Sequence, residues 1–254
     1  MIEVAVSGAG GRMGRLIAEA VAAAADLTLG ALYDPGHVGA LVAGTEISGE
    51  PDVIAGSDVV VEFTIPDVVL GNLALWRRMN VHAVVGTSGF DAPRLEAVRE
   101  LWGPGPPNCL IAPNFSIGAV TMMRLAEIAA PHFAAADIIE LHHDGKADAP
   151  SGTSMATAER IAAAAGERHL AVEPSELVPG ATGARVGGIP IHSVRLPGLV
   201  AHQQVRFGGR GEILTIAHDT TDRASFLPGV LLAVGAVSGL GDGVTVGLEE
   251  ILGF

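Results

Sequence analysis

The sequence predicts an α/β protein, with a doubly wound parallel sheet in its first half and an α+β domain with a mixed or antiparallel sheet in its second. Two observations lead to this fold class. Strand-like runs alternate with helical patterns up to about residue 115, whereas the later strand-like runs follow one another through short connections. In addition, 49% of the 254 residues are apolar and 17% are charged, so the chain can form a sizeable core.

The first half is an alternation of strands and helices joined by short loops. Pro66 with Asp67, and later Asp91, stand where a helix is expected to begin. The predicted strands are 2–6, 27–33, 57–64, 81–85 and 108–112, and the predicted helices are 15–25, 66–80 and 91–102. Ligands of doubly wound sheets bind at the carboxyl ends of the strands, so the loops found there are expected to line one cofactor crevice. These loops contain Gly8, Asp34, Phe63-Thr64, Gly86-Thr87-Ser88 and Ala112-Pro113-Asn114-Phe115.

The second half has a different pattern, because its strand-like runs are not separated by regular helices. The predicted elements are a helix at 117–133, a strand at 137–141, a helix after Ser151, strands at 187–196, 201–207 and 212–218, and a helix at 223–237. The tail at 244–252 is expected to return to the first domain. We therefore predict two domains, one at 1–115 completed by 222–254, and one at 116–221.

A glycine-rich turn connects the first strand to the first helix. It reads Ser7-Gly8-Ala9-Gly10-Gly11-Arg12-Met13-Gly14, and its last glycine falls later than in the common dinucleotide pattern. Glycine allows a tight turn and a close approach to a pyrophosphate resting on the helix N-terminus. Asp34 follows the second strand, where an acidic side chain accepts hydrogen bonds from ribose hydroxyls. This order of elements favours a Rossmann-type nucleotide site over a turn without a ligand.

The most informative stretch runs from 140 to 154. It reads Glu140-Leu141-His142-His143-Asp144-Gly145-Lys146-Ala147-Asp148-Ala149-Pro150-Ser151-Gly152-Thr153-Ser154. Two histidines and a lysine therefore lie on a loop before a helix N-terminus, whose N–H groups and positive dipole end attract carboxylate or phosphate. The pattern predicts a site for an anionic substrate that also receives a proton. Read alone, Lys146 is a solvated loop residue, and adjacent histidines on an extended chain point to opposite sides.

Charge and cysteine content exclude several classes of protein. The net charge of −13 argues against a nucleic-acid partner or an acidic membrane surface. The single cysteine, Cys109, excludes an internal disulfide and falls in a predicted buried strand, so we interpret it as a core residue. No set of ligands with zinc spacing is evident. The sequence shows neither a secretory signal nor a membrane span, and a cytoplasmic location is expected.

Several segments carry a resemblance to a known family. They are Gly8 to Gly14, Gly86-Thr87-Ser88-Gly89, Ala112 to Gly118, His142-His143-x-x-Lys146-x-Asp148-Ala149-Pro150-Ser151-Gly152-Thr153, and Phe207-x-Gly209-x-Gly211-Glu212 through His218 to Arg223. On these residues the chain resembles the 4-hydroxy-tetrahydrodipicolinate reductase family, also called dihydrodipicolinate reductase, over essentially its full length. The run of histidines, lysine and Pro-Ser-Gly-Thr is the most specific part. The short chain length is similar to that of the actinobacterial branch.

The resemblance implies that a cyclic dicarboxylate is reduced by NADH or NADPH to tetrahydrodipicolinate, in lysine and diaminopimelate synthesis. It implies that His142 is a proton donor or acceptor, that Lys146 is the proton donor, and that His143, Gly152 and Thr153 bind substrate carboxylates. The implied cofactor residues are Gly8, Ala9, Gly10, Gly11, Arg12 and Met13 at the pyrophosphate, Asp34 at the adenosine ribose, and Gly86, Thr87, Ser88, Ala112, Pro113, Asn114 and Phe115 on the nicotinamide side. The first domain would bind the dinucleotide, and the second would bind substrate and form a homotetramer.

The coenzyme is expected to be NADH, with NADPH as a possible second. Some members of the family carry an arginine directly after the ribose-binding acid, where it pairs with the 2′-phosphate of NADPH. Pro35 occupies that position, and Asp34 would repel the phosphate, although His37 lies nearby. Two alternatives stay open. One is another nicotinamide oxidoreductase, although Tyr33 is the only tyrosine and Cys109 is poorly placed as a nucleophile. The other is a non-enzymatic sensor of NADH, which would not need the histidines and the lysine.

Overall fold

The structure, a computed structural model, describes residues 1–166 and 175–254. The chain divides into two units, one formed by 1–117 with 226–254 and the other by 118–225. Among the described helices, none has the length and apolar character needed to cross a membrane.

The described elements are as follows. The strands are β1 Ile2–Ser7, β2 Leu27–Tyr33, β3 Leu41–Val42, β4 Thr45–Ser48, β5 Val59–Glu62, β6 His82–Val85, β7 Cys109–Ile111, β8 Ala135–His142, β9 Ala184–Val186, β10 Ile189–Arg195, β11 Ala201–Gly209, β12 Glu212–Thr220 and β13 Val244–Val246. The helices are α1 Arg12–Ala23, α2 Val69–Arg78, α3 Ala92–Trp102, α4 Ile117–Ala129, α5 Gly152–Ala165, α6 Leu227–Ala236 and α7 Glu249–Leu252. Short 3-10 helices lie at Pro51–Ile54, Ala130–His132, Arg223–Phe226 and Val237–Gly239.

The first unit contains the predicted doubly wound sheet. In the described part of the chain its strand order is β13-β7-β6-β5-β1-β2-β4-β3. All neighbouring strands are parallel except β3 and β4. The chain winds outward from the centre in both directions, so the topological switch falls between β1 and β5. Ligands of such sheets bind at the carboxyl ends of the strands that flank the switch.

Two tryptophans fill the core of this unit. Trp76 is fully buried and packs edge-to-face against Tyr33, with ring centroids 5.8 Å apart. Trp102 is also buried, and its indole N–H donates a hydrogen bond to the carbonyl of Pro107 at 2.7 Å. Because both indole N–H groups have acceptors (Trp76 donates to Glu62 at 2.9 Å), the rings are buried without an unsatisfied donor.

The second unit contains a mixed sheet, as predicted, in the order β12-β11-β8-β10-β9. The pairs are antiparallel except for β8 and β10, which are parallel. The parallel pair is possible because the connection between these two strands contains α5, which crosses over one face of the sheet. On that face Gln203 of β11 donates a side-chain hydrogen bond to Thr157 of α5 at 2.8 Å.

The structure differs from the predicted elements at several ends. The first helix begins at Arg12 rather than residue 15, and α2 begins at Val69 rather than at Pro66. The long helix predicted over 117–133 ends at Ala129 and continues as a 3-10 turn, because Pro131 cannot donate the hydrogen bond that an α-helix requires. Strands β3 and β4 lie in a region predicted as a loop, since two to four residues are too few to show periodicity.

Substitutions at two glycines test how closely the turn between β1 and α1 is packed. In Gly14→Ala, the new Cβ would lie 2.1 Å from the carbonyl oxygen of Gly8 and 2.8 Å from the Cα of Ala9, so the backbone must shift. We expect a loss of roughly 1–3 kcal/mol of stability. Gly71→Ala in α2 is the matched control, because a Cβ there meets nothing within 4 Å, and it should be neutral or stabilising by up to about 1 kcal/mol. The melting temperatures of both variants and of the wild type are measured by thermal unfolding and compared. Equal melting temperatures for the two variants would contradict the close packing of Gly14 against Gly8 and Ala9.

Candidate active site

The glycine turn is held in place by backbone contacts. Gly8 has a φ of +78°, and its N–H donates to the carbonyl of Tyr33 at 2.9 Å. A Cβ at Gly8 would lie 2.4 Å from the carbonyl oxygen of Phe63, so only glycine fits beside β5. Helix α1 follows with Gly11 as its N-cap and no side-chain cap. The turn is therefore packed closely against the residues that follow β5 and leads directly into the start of α1.

Asp34 lies beside this turn at the end of β2. Its Oδ2 accepts a hydrogen bond from the N–H of Gly10 at 3.0 Å, and its Oδ1 accepts one from the N–H of Gly36 at 2.9 Å. The ring of His37 approaches the same carboxylate, with Nδ1 at 3.1 Å from Oδ2. The imidazole also covers Gly10, where a Cβ would lie 2.2 Å from Cγ of His37. The acidic side chain is thus fixed next to the glycine turn.

Phe63 connects the remaining loops of the crevice. Its ring lies directly against Gly86, where a Cβ would be 2.0 Å from Cζ, and its centroid is 5.5 Å from that of Phe115. The next residue, Thr64, donates its backbone N–H to Oγ1 of Thr87 at 3.0 Å. The loops after β1, β5, β6 and β7 therefore contact one another through Phe63 and Thr64. Sequence reasoning included this pair among the crevice loops but assigned neither residue a role.

The other predicted cofactor residues occupy the same edge of the sheet. Thr87, Ala112 and Phe115 are buried, whereas Arg12, Ser88 and Pro113 are exposed. Ala112 donates its N–H to the carbonyl of Val85, and Asn114 accepts a hydrogen bond from the N–H of Ser116 through Oδ1 at 2.8 Å. Each of these loops therefore contains both buried and exposed residues.

Glu62 is a buried carboxylate that sequence reasoning did not select. It is the last residue of β5 and is wholly inaccessible to solvent. Its Oε1 accepts hydrogen bonds from Asn72 at 3.1 Å and from the hydroxyl of Thr64, and its Oε2 accepts one from Trp76 at 2.9 Å. A buried carboxylate is tolerated only when donors satisfy it. Glu62 thereby fixes Thr64 and, through it, the crevice.

In the second unit the predicted substrate residues follow β8. The strand ends at His142, a loop spans 143–151, and α5 begins at Gly152. Ser151 is the N-cap of α5, and its hydroxyl accepts a hydrogen bond from the N–H of Ser154 at 3.2 Å. Gly152 is exposed, and a Cβ there would meet nothing within 4 Å. The start of α5 is therefore open to a ligand, beside the loop that carries His143 and Lys146.

Lys146 forms an ion pair within the loop. Its Nζ donates to both carboxylate oxygens of Asp148, at 2.7 and 2.8 Å. The hydrogen bond from the ammonium group keeps the pKa of Asp148 below its ordinary value. The backbone N–H of Lys146 donates to the carbonyl of His143 at 3.2 Å, which closes a turn. The side chain of Lys146 is only 22% exposed, whereas that of Asp148 is 63% exposed.

His142 lies against a second buried carboxylate, Glu140. Its Nδ1 contacts Oε2 of Glu140, two residues earlier on the same face of β8. Burial lowers the pKa of His142 below its ordinary value; the contact with Glu140 opposes this, and the charges of Lys146 and Arg195 reinforce it. The pKa is lowered overall, which favours the neutral form of the His142 imidazole. The structure thus brings His142, Lys146 and two carboxylates together at the end of β8 and on the loop that follows it.

Family models match both halves of the chain. The model described as dihydrodipicolinate reductase, N-terminus, matches residues 2–115, and the one described as dihydrodipicolinate reductase, C-terminus, matches residues 118–252. The chain belongs to the dihydrodipicolinate reductase family.

Individual relatives agree with this membership. The chain is 51% identical to the 4-hydroxy-tetrahydrodipicolinate reductase of Nocardia farcinica, over 99% of this chain and 98% of the relative. It is 50% identical to the enzyme of that name from Thermobifida fusca, over the whole of both chains. Among solved structures, the dipicolinate-bound dihydrodipicolinate reductase of Paenisporosarcina sp. TG-14 is 37% identical, with a TM-score of 0.85 and 99% coverage of both chains. The resemblance read from the sequence motifs is therefore confirmed.

A more distant likeness concerns the fold alone. A myo-inositol dehydrogenase from Corynebacterium glutamicum is 16% identical, with a TM-score of 0.63 over 95% of this chain. The architecture is therefore shared with a dehydrogenase named for a different substrate, and the fold alone does not identify the reaction.

Cys109 provides a test of the interpretation that the thiol is a core residue. The side chain is fully buried in β7, and burial raises the pKa of the thiol far above its ordinary value. We expect no reaction of the native protein with Ellman's reagent, because the thiolate is the reactive form and is almost absent. One thiol per chain should react after unfolding in guanidinium chloride. Rapid reaction of the native protein would instead mean that β7 is accessible.

Proposed function

We propose that this protein reduces 4-hydroxy-2,3,4,5-tetrahydrodipicolinate (dihydrodipicolinate) to tetrahydrodipicolinate, with a nicotinamide coenzyme, in lysine and diaminopimelate synthesis. The observation that carries the proposal is that His142, at the end of β8, and Lys146, on the loop after it, precede the open start of α5 in a chain of this family. A relative that binds dipicolinate, itself a cyclic dicarboxylate, supports a dicarboxylate substrate.

Membership of this family makes the protein an oxidoreductase that uses a nicotinamide coenzyme. When bound, the coenzyme supplies a hydride ion. The crevice fits such a group, because a tight glycine turn leads into α1, which begins after Gly11 without a side-chain cap, and such a helix start binds phosphate groups. Residues 8–13 would hold the pyrophosphate, Asp34 the ribose, and the loops at 86–88 and 112–115 the nicotinamide side.

The substrate carboxylates would be bound at the loop before α5. The first N–H groups of a helix and its positive dipole end favour an anion without adding a full charge. Gly152 and Thr153 supply these groups, Thr153 adds a hydroxyl, and His143 supplies a ring nitrogen. These local donors allow a protein of net charge −13 to bind a dianion, because charges beyond about 10 Å are screened by salt.

Lys146 is proposed to give the proton that accompanies hydride transfer. Of the 15 lysine and arginine residues in the chain, it is the only lysine. An arginine would supply the same positive charge but stays protonated at any physiological pH, whereas an ammonium group can release its proton. The presence of a lysine at this one position is therefore what proton donation requires. His142 would donate or accept a proton beside it.

The proposed homotetramer would use the second sheet. Helix α5 packs on the face that bears Ile138 and Gln203. The opposite face carries Ile139, Leu141 and Ile213, and the last of these is 74% exposed. Apolar side chains on a sheet face are suited to an interface between copies of the chain. We also propose a cytoplasmic location, as expected for an enzyme of amino-acid synthesis.

Lys146 variants test the reaction and the proton donor together. Substrate is generated in situ from pyruvate and aspartate semialdehyde by the preceding synthase, and loss of nicotinamide absorbance is followed. Wild type should turn over rapidly. Lys146→Ala and Lys146→Arg should each lower kcat by roughly a hundredfold or more, because neither can release a proton. Arg78→Ala, an exposed position on α2, is the control and should match wild type.

Each other outcome has a distinct meaning. Undiminished turnover in Lys146→Arg would keep the reductase but remove Lys146 as the donor. Tight binding of NADH without turnover by wild type would contradict the proposed reaction and favour a sensor of NADH. Turnover of an unrelated carbonyl substrate alone would favour another nicotinamide oxidoreductase.

The coenzyme preference has its own test. We propose that NADH is preferred and that NADPH is usable, because Asp34 would repel a 2′-phosphate and Pro35 offers no compensating charge. Pro35→Arg should raise kcat/KM for NADPH relative to NADH, since the guanidinium can pair with the phosphate. A wild-type kcat/KM for NADPH that exceeds the value for NADH by roughly tenfold or more would contradict the proposed preference.

A further inference from the structure

Glu140 is a charged side chain in an unusual position. It lies in β8 with no solvent exposure, two residues before His142 and on the same face of the strand. Its Oε2 contacts Nδ1 of His142. A carboxylate accepts hydrogen bonds and cannot donate them, so an ionised Glu140 requires the ring proton of His142 to be on Nδ1.

Arg195 is the cation that pairs with Glu140. The residue ends β10 and lies directly beside His142 in the parallel ladder with β8. Its Nη1 donates to Oε2 of Glu140 at 3.1 Å and lies 3.0 Å from Oε1, at an angle too poor for a hydrogen bond to the second oxygen. A buried carboxylate needs such a partner, because its desolvation is otherwise too costly.

Arg195 also contacts the loop that carries Lys146. Its Nη2 donates to the backbone carbonyl of Asp148 at 2.5 Å, and the carboxylate of Asp148 holds the ammonium group of Lys146. A single guanidinium therefore connects the carboxylate behind His142 to the backbone that positions Lys146.

We propose that Glu140 and Arg195 are positioning residues of the reaction. Glu140 holds His142 as the tautomer with its proton on Nδ1, which leaves Nε2 as the acceptor, and Arg195 fixes both this carboxylate and the loop of Lys146. The proposal rests on the proposed function, in which His142 and Lys146 act on the substrate. It divides their roles: His142 accepts a proton or a hydrogen bond through Nε2, and Lys146 donates the proton.

The charges around His142 agree with this division. The charged groups that face the ring are Glu140 on its own strand, Arg195 on β10 and Lys146 on the following loop. Burial and the two cations lower the pKa of the ring, and Glu140 raises it. Because the pKa is lowered overall, the neutral form of the ring is favoured, and in that form Nδ1 donates to Glu140 while Nε2 is the acceptor.

Nitrogen NMR of the free protein with isotope-labelled histidine tests the tautomer directly. The His142 ring is assigned from the signals that disappear in His142→Gln. We expect protonated Nδ1 and unprotonated Nε2 at neutral pH, with a pKa below the ordinary value. In Glu140→Gln the pKa should fall further, because the charge that raises it is gone. Asp137→Asn is the matched control, since Asp137 contacts a different histidine, His192, from the same strand, and the His142 pKa should not move.

A second variant covers the case in which Glu140→Gln does not fold. Glu140→Leu with Arg195→Met replaces the buried ion pair by apolar side chains, a change that folded proteins often tolerate. In this variant the preference for the Nδ1–H tautomer should be lost. A wild-type ring protonated on Nε2, or an unchanged tautomer in the double variant, would overturn the proposal.

Kinetics provide the second readout. Glu140→Gln should lower kcat by roughly tenfold to a hundredfold, with little change in KM for NADH, because the cofactor crevice is untouched. A change in KM for NADH with kcat preserved would contradict a positioning role. The NMR result does not require turnover. A failure of the proposed reaction would therefore appear as an inactive wild type, whereas a failure of this inference would appear as the wrong tautomer.

Discussion

The proposed cofactor site and the proposed substrate site depend on one constraint. A carboxylate that is buried must have groups beside it that donate hydrogen bonds to it or pair with its charge. Each unit contains a fully buried glutamate at or near the end of a strand, Glu62 on β5 and Glu140 on β8. Every donor that satisfies such a group is held in one orientation, because leaving the charge unpaired costs several kcal/mol. Glu62 orders Thr64 and the crevice around Phe63. Glu140 orders His142 and Arg195. The hydrogen bonds that these two buried carboxylates require thereby hold in place the side chains at the proposed sites.

Close backbone packing provides the second requirement. At the switch between β1 and β5, Gly8 lies against the carbonyl of Phe63 and Gly14 lies against Gly8. These contacts allow only glycine at the two positions, and a tight glycine turn before a helix is also what the proposed binding of a pyrophosphate requires. The ring of Phe63 then brings the loops at Gly86 and Phe115 to the turn. Packing and ligand access therefore depend on the same small residues.

Charge is arranged locally rather than globally. The chain carries a net charge of −13, yet its only lysine lies on the loop before α5. Around that loop the positive charges of Arg195 and Lys146, together with the N-terminus of α5, offset the negative charges of Glu140 and Asp148. A dianionic substrate responds to these near groups, because salt screens the distant acidic surface. The net charge of the whole chain therefore argues against a nucleic-acid or acidic-membrane partner, but it does not describe the local charge at the proposed substrate site.

Most of the architecture could be predicted from periodicity, because strands of a buried parallel sheet and the helices between them have long, regular patterns. The predicted parallel sheet, the mixed second sheet and the family are confirmed. Element ends were less predictable. The start of α1 and the 3-10 turn at Pro131 depend on individual hydrogen bonds, and β3 and β4 are too short to leave a pattern.

The sequence by itself determined the family and which residues are proposed to carry the chemistry, since the glycine turn and the run from His142 to Thr153 are motifs of adjacent positions. The tertiary structure alone decided what surrounds them. Phe63 meets Gly86 and Phe115 only because parallel strands end at one edge of a sheet. Arg195 meets Glu140 only because β10 pairs with β8 in that register. Such contacts join residues more than 20 positions apart in the chain, and in the case of Glu140 and Arg195, 55 positions apart, so no local pattern records them.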